Sequence, residues 1–418
     1  MDRKRTVFSL LLGFSLVLAG CTAPASTAQP SPTPAQPSEA AVTAAPAPEV
    51  TATPEVTGDP ENQLVFSQSA AGARTADGFY TVHTYDDWTG CLVFYDYASR
   101  QAVPVCSQPN CEHHDETCPA WFGDKGNIPR LLTNGEQLIL CYLNTPARIE
   151  TANPDGSNRR VLYEFAANAT PGDGLCMDED GVYLLSTSVS DEADSRQDLL
   201  RIDLADGSCD PLWSGSTTGG SYAFLAGCRD HYLVLKEIRR NTQQAETAEQ
   251  LADQTHTLLS VDPRDGSTAP LYAWQQGDLL ESALPDTLYG ITADHRLCAF
   301  AGDEQLTELA RDDRFVPSVT VIQYADEDAL WFTAPENGTE GKSSLYQLNL
   351  ADGTIAPVPL AQGRSLTVLG ETGNDLFVRI TADDSLQASL DTRYALVPKD
   401  RMTTAQDDSA LEEFTELF

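Results

Sequence analysis

Cys106, Cys111, His113, His114 and Cys118 fall within thirteen residues, and of all the side chains in this chain they are the best suited to hold a metal. Cys106, Cys111, His113 and Cys118 make a Cys3His donor set, which suits tetrahedral Zn²⁺. The intervals of four, one and four residues are tighter than common zinc-finger spacings, so one loop would have to wrap the ion. Four protein ligands leave no open position for water, which makes such a zinc structural and not catalytic. A second reading is equally open: a disulfide from Cys106 to Cys111, with Cys118 paired to Cys91 or Cys141, or free thiols. Apart from Cys21, nine cysteines remain, an odd number that leaves at least one unpaired unless a metal or an intermolecular bond takes it.

Other chemistry is sparse, and no catalytic or organic-cofactor residues are assigned. His83, His231, His256 and His295 are scattered singly. The chain has no Gly-x-Ser-x-Gly, no His-Glu-x-x-His and no glycine-rich phosphate loop. Asp178-Glu179-Asp180-Gly181 resembles a calcium loop, but Cys176 stands where the first acidic ligand belongs. A solvated turn between repeats is the reading adopted. Trp213, Trp274, Trp331, Tyr163 and Tyr272 are expected to pack one repeat against the next. The net charge is −36, which argues against nucleic acid and anionic lipid surfaces as partners.

The elements that must position the cluster come in three parts. Residues 1–20 are basic at Arg3, Lys4 and Arg5, then apolar from Val7 to Leu18, and lead to Leu18-Ala19-Gly20-Cys21. This resembles a bacterial lipoprotein signal peptide with its lipobox, in which Cys21 is diacylated (palmitate-type anchoring) and becomes the first mature residue. Without residues 1–20 the chain keeps 23 basic and 61 acidic side chains, a net charge of −38. Residues 21–60 hold the lipidated cysteine and a Pro/Ala/Thr-rich tether with nine prolines, expected to be disordered. The body is 61–418, with the Cys/His-rich insertion at 104–126 expected between two blades.

Repeats organise that body. The signature apolar, Asp/Asn, two residues, Asp-Gly, Ser/Thr occurs at Ile202–Ser208, Val261–Ser267 and Leu348–Thr354, with a shorter copy at Asn153–Ser157. Asp-Gly supplies positive φ for a hairpin turn, and alternating apolar residues flank each copy. First strands fall near residues 80, 138, 183, 232, 288, 330 and 376, which is propeller spacing. The expected fold class is all-β, a single β-propeller of seven blades, with six or eight also open. Leu64-Val65-Phe66 is expected beside the last blade, closing the ring. Thr242–Ala252 and Ser409–Phe418 read as helical.

Together these features resemble the extracytoplasmic β-propeller lipoproteins of Gram-positive anaerobes, with TolB-like repeats. The sharper part of the resemblance is Pro104-Val105-Cys106-Ser107-Gln108-Pro109-Asn110-Cys111-Glu112-His113, with Cys118-Pro119-Ala120 following. It implies a location on the outer face of the cell membrane through an N-terminal lipid, and no particular activity. The functional expectation is a non-catalytic propeller that binds a protein, peptide or glycan partner. A polysaccharide-active enzyme and an accessory subunit of a transporter or envelope complex are the alternatives.

Overall fold

The computed structural model describes residues 64–417 except for 68–71, 190–194, 218–219, 230, 241–253, 276–278, 285–286, 293, 301–305, 318, 337–342, 361–363, 383–391 and 405–409. Residues 1–63, with Cys21 and the tether, and Thr242–Ala252 lie outside the described residues.

A short strand, β1 (Val65–Ser67), precedes seven antiparallel sheets. Blade 1 is β2 (Ala73–Arg74), β3 (Gly78–Thr84), β4 (Gly90–Asp96) and β5 (Gln101–Pro104), with β6 (Trp121–Phe122) also on β4. Blade 2 is β7 (Arg130–Thr133), β8 (Leu138–Tyr142), β9 (Arg148–Ala152) and β10 (Arg160–Glu164). Blade 3 is β11 (Ala169–Met177), β12 (Gly181–Val189), β13 (Ser195–Asp203) and β14 (Cys209–Ser216). Blade 4 is β15 (Tyr222–Arg229), β16 (Tyr232–Arg240), β17 (Gln254–Val261) and β18 (Thr268–Gln275). Blade 5 is β19 (Leu279–Leu284), β20 (Thr287–Ile291), β21 (Arg296–Phe300) and β22 (Leu306–Arg311). Blade 6 is β23 (Val321–Ala325), β24 (Ala329–Pro335), β25 (Ser343–Asn349) and β26 (Ile355–Pro357). Blade 7 is β27 (Arg364–Thr372), β28 (Asp375–Ala382), β29 (Arg393–Pro398) and β30 (Glu412–Glu413), after which β31 (Thr415–Glu416) ends the chain's pairing. The fold is thus the expected seven-bladed propeller.

Because a blade alone cannot cover its two apolar faces, the core is a set of seams between neighbours. Cys91, Leu131 and Leu140 join blades 1 and 2, and Tyr183, Leu199 and Leu235 join blades 3 and 4. Trp331 is 1% exposed in the seam of blades 6 and 7. Trp213, Tyr163 and Tyr272 pack into seams as the sequence suggests, while the Trp274 side chain lies outside the described residues.

Each blade is built from its own consecutive strands, so the join between blades 7 and 1 rests on non-covalent contact. Phe79, Tyr95, Phe377, Tyr394 and Phe414 fill that join, with Phe377 and Tyr394 stacked at 5.5 Å. Outside it, β31 adds in parallel to β5. Of the segment expected to be helical, Ser409–Phe418, the part described at 411–417 carries β30 and β31 and no helix: Phe414 enters the seam while Glu412, Glu413 and Glu416 stay exposed, and this burial overrides helix propensity.

Leu64-Val65-Phe66 also departs from expectation. Instead of joining the last blade, β1 pairs antiparallel with β11, the innermost strand of blade 3. The peptide of Leu64 accepts a thiol bond from Cys228 at 3.6 Å, and Leu64 is buried in the seam of blades 3 and 4. Val65 sits opposite Met177, the end of β11 that leads into the turn at Asp178. That turn and the Asp-Gly hairpin of the same blade share one face, since Leu204 N–H donates to the Asp180 carbonyl at 2.8 Å. The described chain therefore enters the ring from the hairpin face.

Candidate metal centre

The Cys/His segment lies within the outer strand of blade 1, not between two blades. β4 pairs with β5 through Val93–Asp96 and with β6 through Gly90 and Cys91. Between them the Leu92 N–H donates to the Ala120 carbonyl at 2.8 Å. Residues 105–120 thus leave the sheet edge as a loop and return to it.

Two left-handed residues, Asn110 (φ 60°) and His113 (φ 57°), turn this loop back on itself, a conformation that asparagine and histidine adopt more readily than most residues. Asp115 fixes the next turn by accepting from the Thr117 N–H (2.9 Å) and hydroxyl (2.5 Å). As a result, the ligand atoms of Cys106, Cys111, His113 and Cys118 all lie within 4.8 Å of one another. His113 Nδ1 is 3.4 Å from Cys118 Sγ. In a tetrahedral zinc site with Zn–S of about 2.3 Å, sulfurs sit about 3.8 Å apart, so a small contraction closes the set. His114 stands apart, stacked on Tyr85 at 3.9 Å.

Backbone amides are aimed at two of the sulfurs. Gln108 N–H donates to Cys106 Sγ at 3.4 Å, and the amide of Ala120 favours the Cys118 thiolate. Against this, burial and the adjacent Cys111 and Cys106 thiols push Cys118 up to about 12. Three crowded thiols ionise together only when a cation offsets their repulsion. None of the nine described cysteines is bonded to another.

Two neighbours were not singled out as site residues by sequence reasoning. Cys91 is fully buried, in the apolar cluster against which Cys106 and Cys111 pack. Arg159, on the blade 2 hairpin, lays its guanidinium over the Phe122 ring at 4.0 Å and donates from Nη1 to the Trp121 carbonyl at 3.0 Å. No local signal marks Arg159, because it meets the loop only through the blade 1–2 seam.

The remaining sequence candidates are structural. Asp178 lies in the turn joining β11 and β12 within blade 3, not between blades. Its carboxylate accepts from the Asp180 and Gly181 amides and from the Tyr183 hydroxyl at 2.7 Å. The four Asp-Gly hairpins join third and fourth strands, with Gly156, Gly207, Gly266 and Gly353 at φ 71–75°. Only the glycine of each pair is left-handed, because the loop is longer than a two-residue turn: Asp203 N–H bonds Ser208 O, and Gly207 N–H bonds Asp203 O.

A concavity of about 670 Å³ opens between the inner strands of blades 3 and 4. Pro171, Gly172, Gly174, Phe224 and Leu225 line it, with Gln197 and Lys236. Gln197 clamps the blades by accepting from the Ala223 amide at 2.7 Å. Tyr222 and Phe224 are exposed (37% and 51%) and packed edge to face at 5.2 Å. They lie toward the start of β15, at the end of the inner strands away from the hairpin face.

No protein-family model and no curated protein matches the chain. Among solved structures, it is similar to the propeller domain of the Trilobed protease from Pyrococcus furiosus (12% identity, TM-score 0.46, covering 85% of this chain and 98% of that one). It is also similar to puromycin hydrolase (12%, 0.49, 78% of this chain and 52% of that one), and to TolB from Acinetobacter baumannii (10%, 0.32, 80% of each). Likeness this distant transfers no activity. What the seven blades themselves establish is that the chain is a β-propeller protein.

Proposed function

We propose that this chain is a recognition module held on the outer face of the cell membrane by lipid on Cys21, a non-catalytic propeller that binds a protein, peptide or glycan. The observation that carries this reading is the exposed Tyr222–Phe224 pair beside the cavity of blades 3 and 4. Exposed aromatics are the usual anchors of partner surfaces. They also lie away from the face by which the chain enters the ring. Among the described residues that line the cavity, Gln197 and Lys236 supply the polar side chains, a set suited to hydrogen-bonding a bound partner.

Envelopes solubilised with the lipidated protein should yield a partner on pull-down, and Phe224→Ala should lose it. Turnover of a cell-wall glycan by the purified protein, without any captured partner, would replace this reading with an enzymatic one. Cys21→Ser should release the protein from the membrane while its β-sheet circular dichroism is unchanged.

The Cys3His set serves this module as a structural zinc site, pinning the loop that interrupts the outer strand of blade 1. The donor set, its span of 4.8 Å and the amides facing Cys106 and Cys118 support that role. Protein expressed with zinc should carry one ion per chain; blocked thiols with no metal would favour the disulfide reading.

A further inference from the structure

The hairpin of blade 2 carries a buried guanidinium with one edge unpaired. Arg159 Nε and Nη2 are enclosed and have no hydrogen-bond partner, although Nη1 is bonded to Trp121. A guanidinium presents its Nε and Nη2 donors on one edge, the edge that pairs with anions. The ionisable groups acting on it are Tyr142, Glu150, Cys118 and Cys91. Glu150 is already engaged by Arg148 Nε at 2.5 Å and the Tyr142 ring lies under the Arg148 guanidinium at 3.8 Å, whereas Arg159 lines one concavity together with Cys118, Pro119 and Trp121.

This coincidence has a charge argument behind it. A divalent ion held by three thiolates and a neutral imidazole carries a net charge of −1, and on the side of Cys118, its buried ligand, that charge is stabilised by a counter-charge. We propose that Arg159 is the outer-sphere counter-ion of a tris-thiolate metal centre, a positioning residue that ties the loaded loop of blade 1 to blade 2. The proposal rests on the zinc reading above. It also explains the seating of the hairpin. A Cβ on Gly156 would stand 2.9 Å from the Pro119 carbonyl oxygen, so the hairpin that bears Arg159 rests directly on the residue after Cys118.

The mature chain titrated with Co²⁺, read by its thiolate-to-metal charge-transfer band, and then with Zn²⁺ in competition, tests this. Arg159→Gln should weaken the metal by about 10- to 100-fold, the usual effect of losing an outer-shell partner. Arg159→Lys, which keeps the charge, should recover most of that affinity. The metal-free Arg159→Gln protein should melt no lower than the metal-free wild type, because a buried orphan cation has been removed. Unchanged metal affinity in Arg159→Gln, or lost affinity accompanied by an equal loss of metal-free stability, would overturn the role of Arg159. Absence of metal binding by the wild type overturns the zinc reading itself.

Discussion

The carbonyl oxygen of Leu162 lies 2.1 Å from where a Cβ on Gly207 would stand. Gly207 belongs to the hairpin of blade 3 and Leu162 to the outer strand of blade 2, so the glycine of the repeat signature both makes a turn and seats one blade on the one before it. Gly266 approaches the Leu212 carbonyl of blade 3 in the same way, at 2.5 Å.

Two substitutions separate those functions. Gly207→Ala meets both a positive φ and a backbone collision, and should cost about 2–3 kcal/mol. Gly353→Ala meets a positive φ but has its nearest neighbour, the Leu309 oxygen, at 3.7 Å; it should cost about 1 kcal/mol. Denaturant midpoints of the two variants provide the comparison, and equal losses would show that seating adds nothing to turn strain.

The join of blades 7 and 1 should be sensitive to Phe414. Its ring meets Tyr95 at 5.3 Å and Phe377 at 5.9 Å, both edge to face. Phe414→Ala should cost about 3 kcal/mol, and hydrogen exchange should quicken in β5 and β29 before it does in blade 4. Uniform quickening around the ring would contradict this.

The metal ligands should divide cleanly from the adjacent histidine. Cys118→Ser and His113→Ala should abolish stoichiometric zinc, whereas His114→Ala, which removes only a ring stacked on Tyr85, should retain it. Zinc analysis after gel filtration distinguishes the variants.

Alkaline pH should destabilise the metal-free, reduced protein. Burial pushes the Cys141 thiol up from 9.0 to about 12 and the Cys91 thiol up to about 11. The folded state then holds these protons more tightly than the unfolded state. Their contribution is complete below pH 9 and is lost as pH rises toward 11 and 12. Denaturant midpoints should fall between about pH 8 and about pH 10.5, and fall less steeply in Cys141→Ala. A flat profile would remove the buried thiols as its cause.

What was legible in the sequence was local. Asp206-Gly207 and its three relatives announce hairpins through their own turn chemistry, and the spacing of strand-like runs between and beyond them points to seven blades. Cys106 to Cys118 could be grouped because thirteen residues contain them all. Long-range pairing was not legible. Val65 finds Met177 in blade 3, and three apolar residues carry no sign of which edge they will cover. Leu411 to Leu417 has helix-forming composition, and only the waiting edge of β5 makes its end a strand. Arg159 is one of many arginines until the seam brings it to the loop. The break between β5 and β6 is equally silent, since only β4 shows that both belong to one strand position.

The placement of β1 has a mechanical consequence. Any pull on the chain ahead of Leu64 acts on the inner edge of blade 3, where three residue pairs, Val65 to Met177, Phe66 to Cys176 and Ser67 to Leu175, bear it. Because β1 is drawn along its own length, these contacts resist in shear. They form a short fuse ahead of the ring: a load on Leu64 along β1 would break these three pairs before any pairing within a blade, and the seven blades would stay closed.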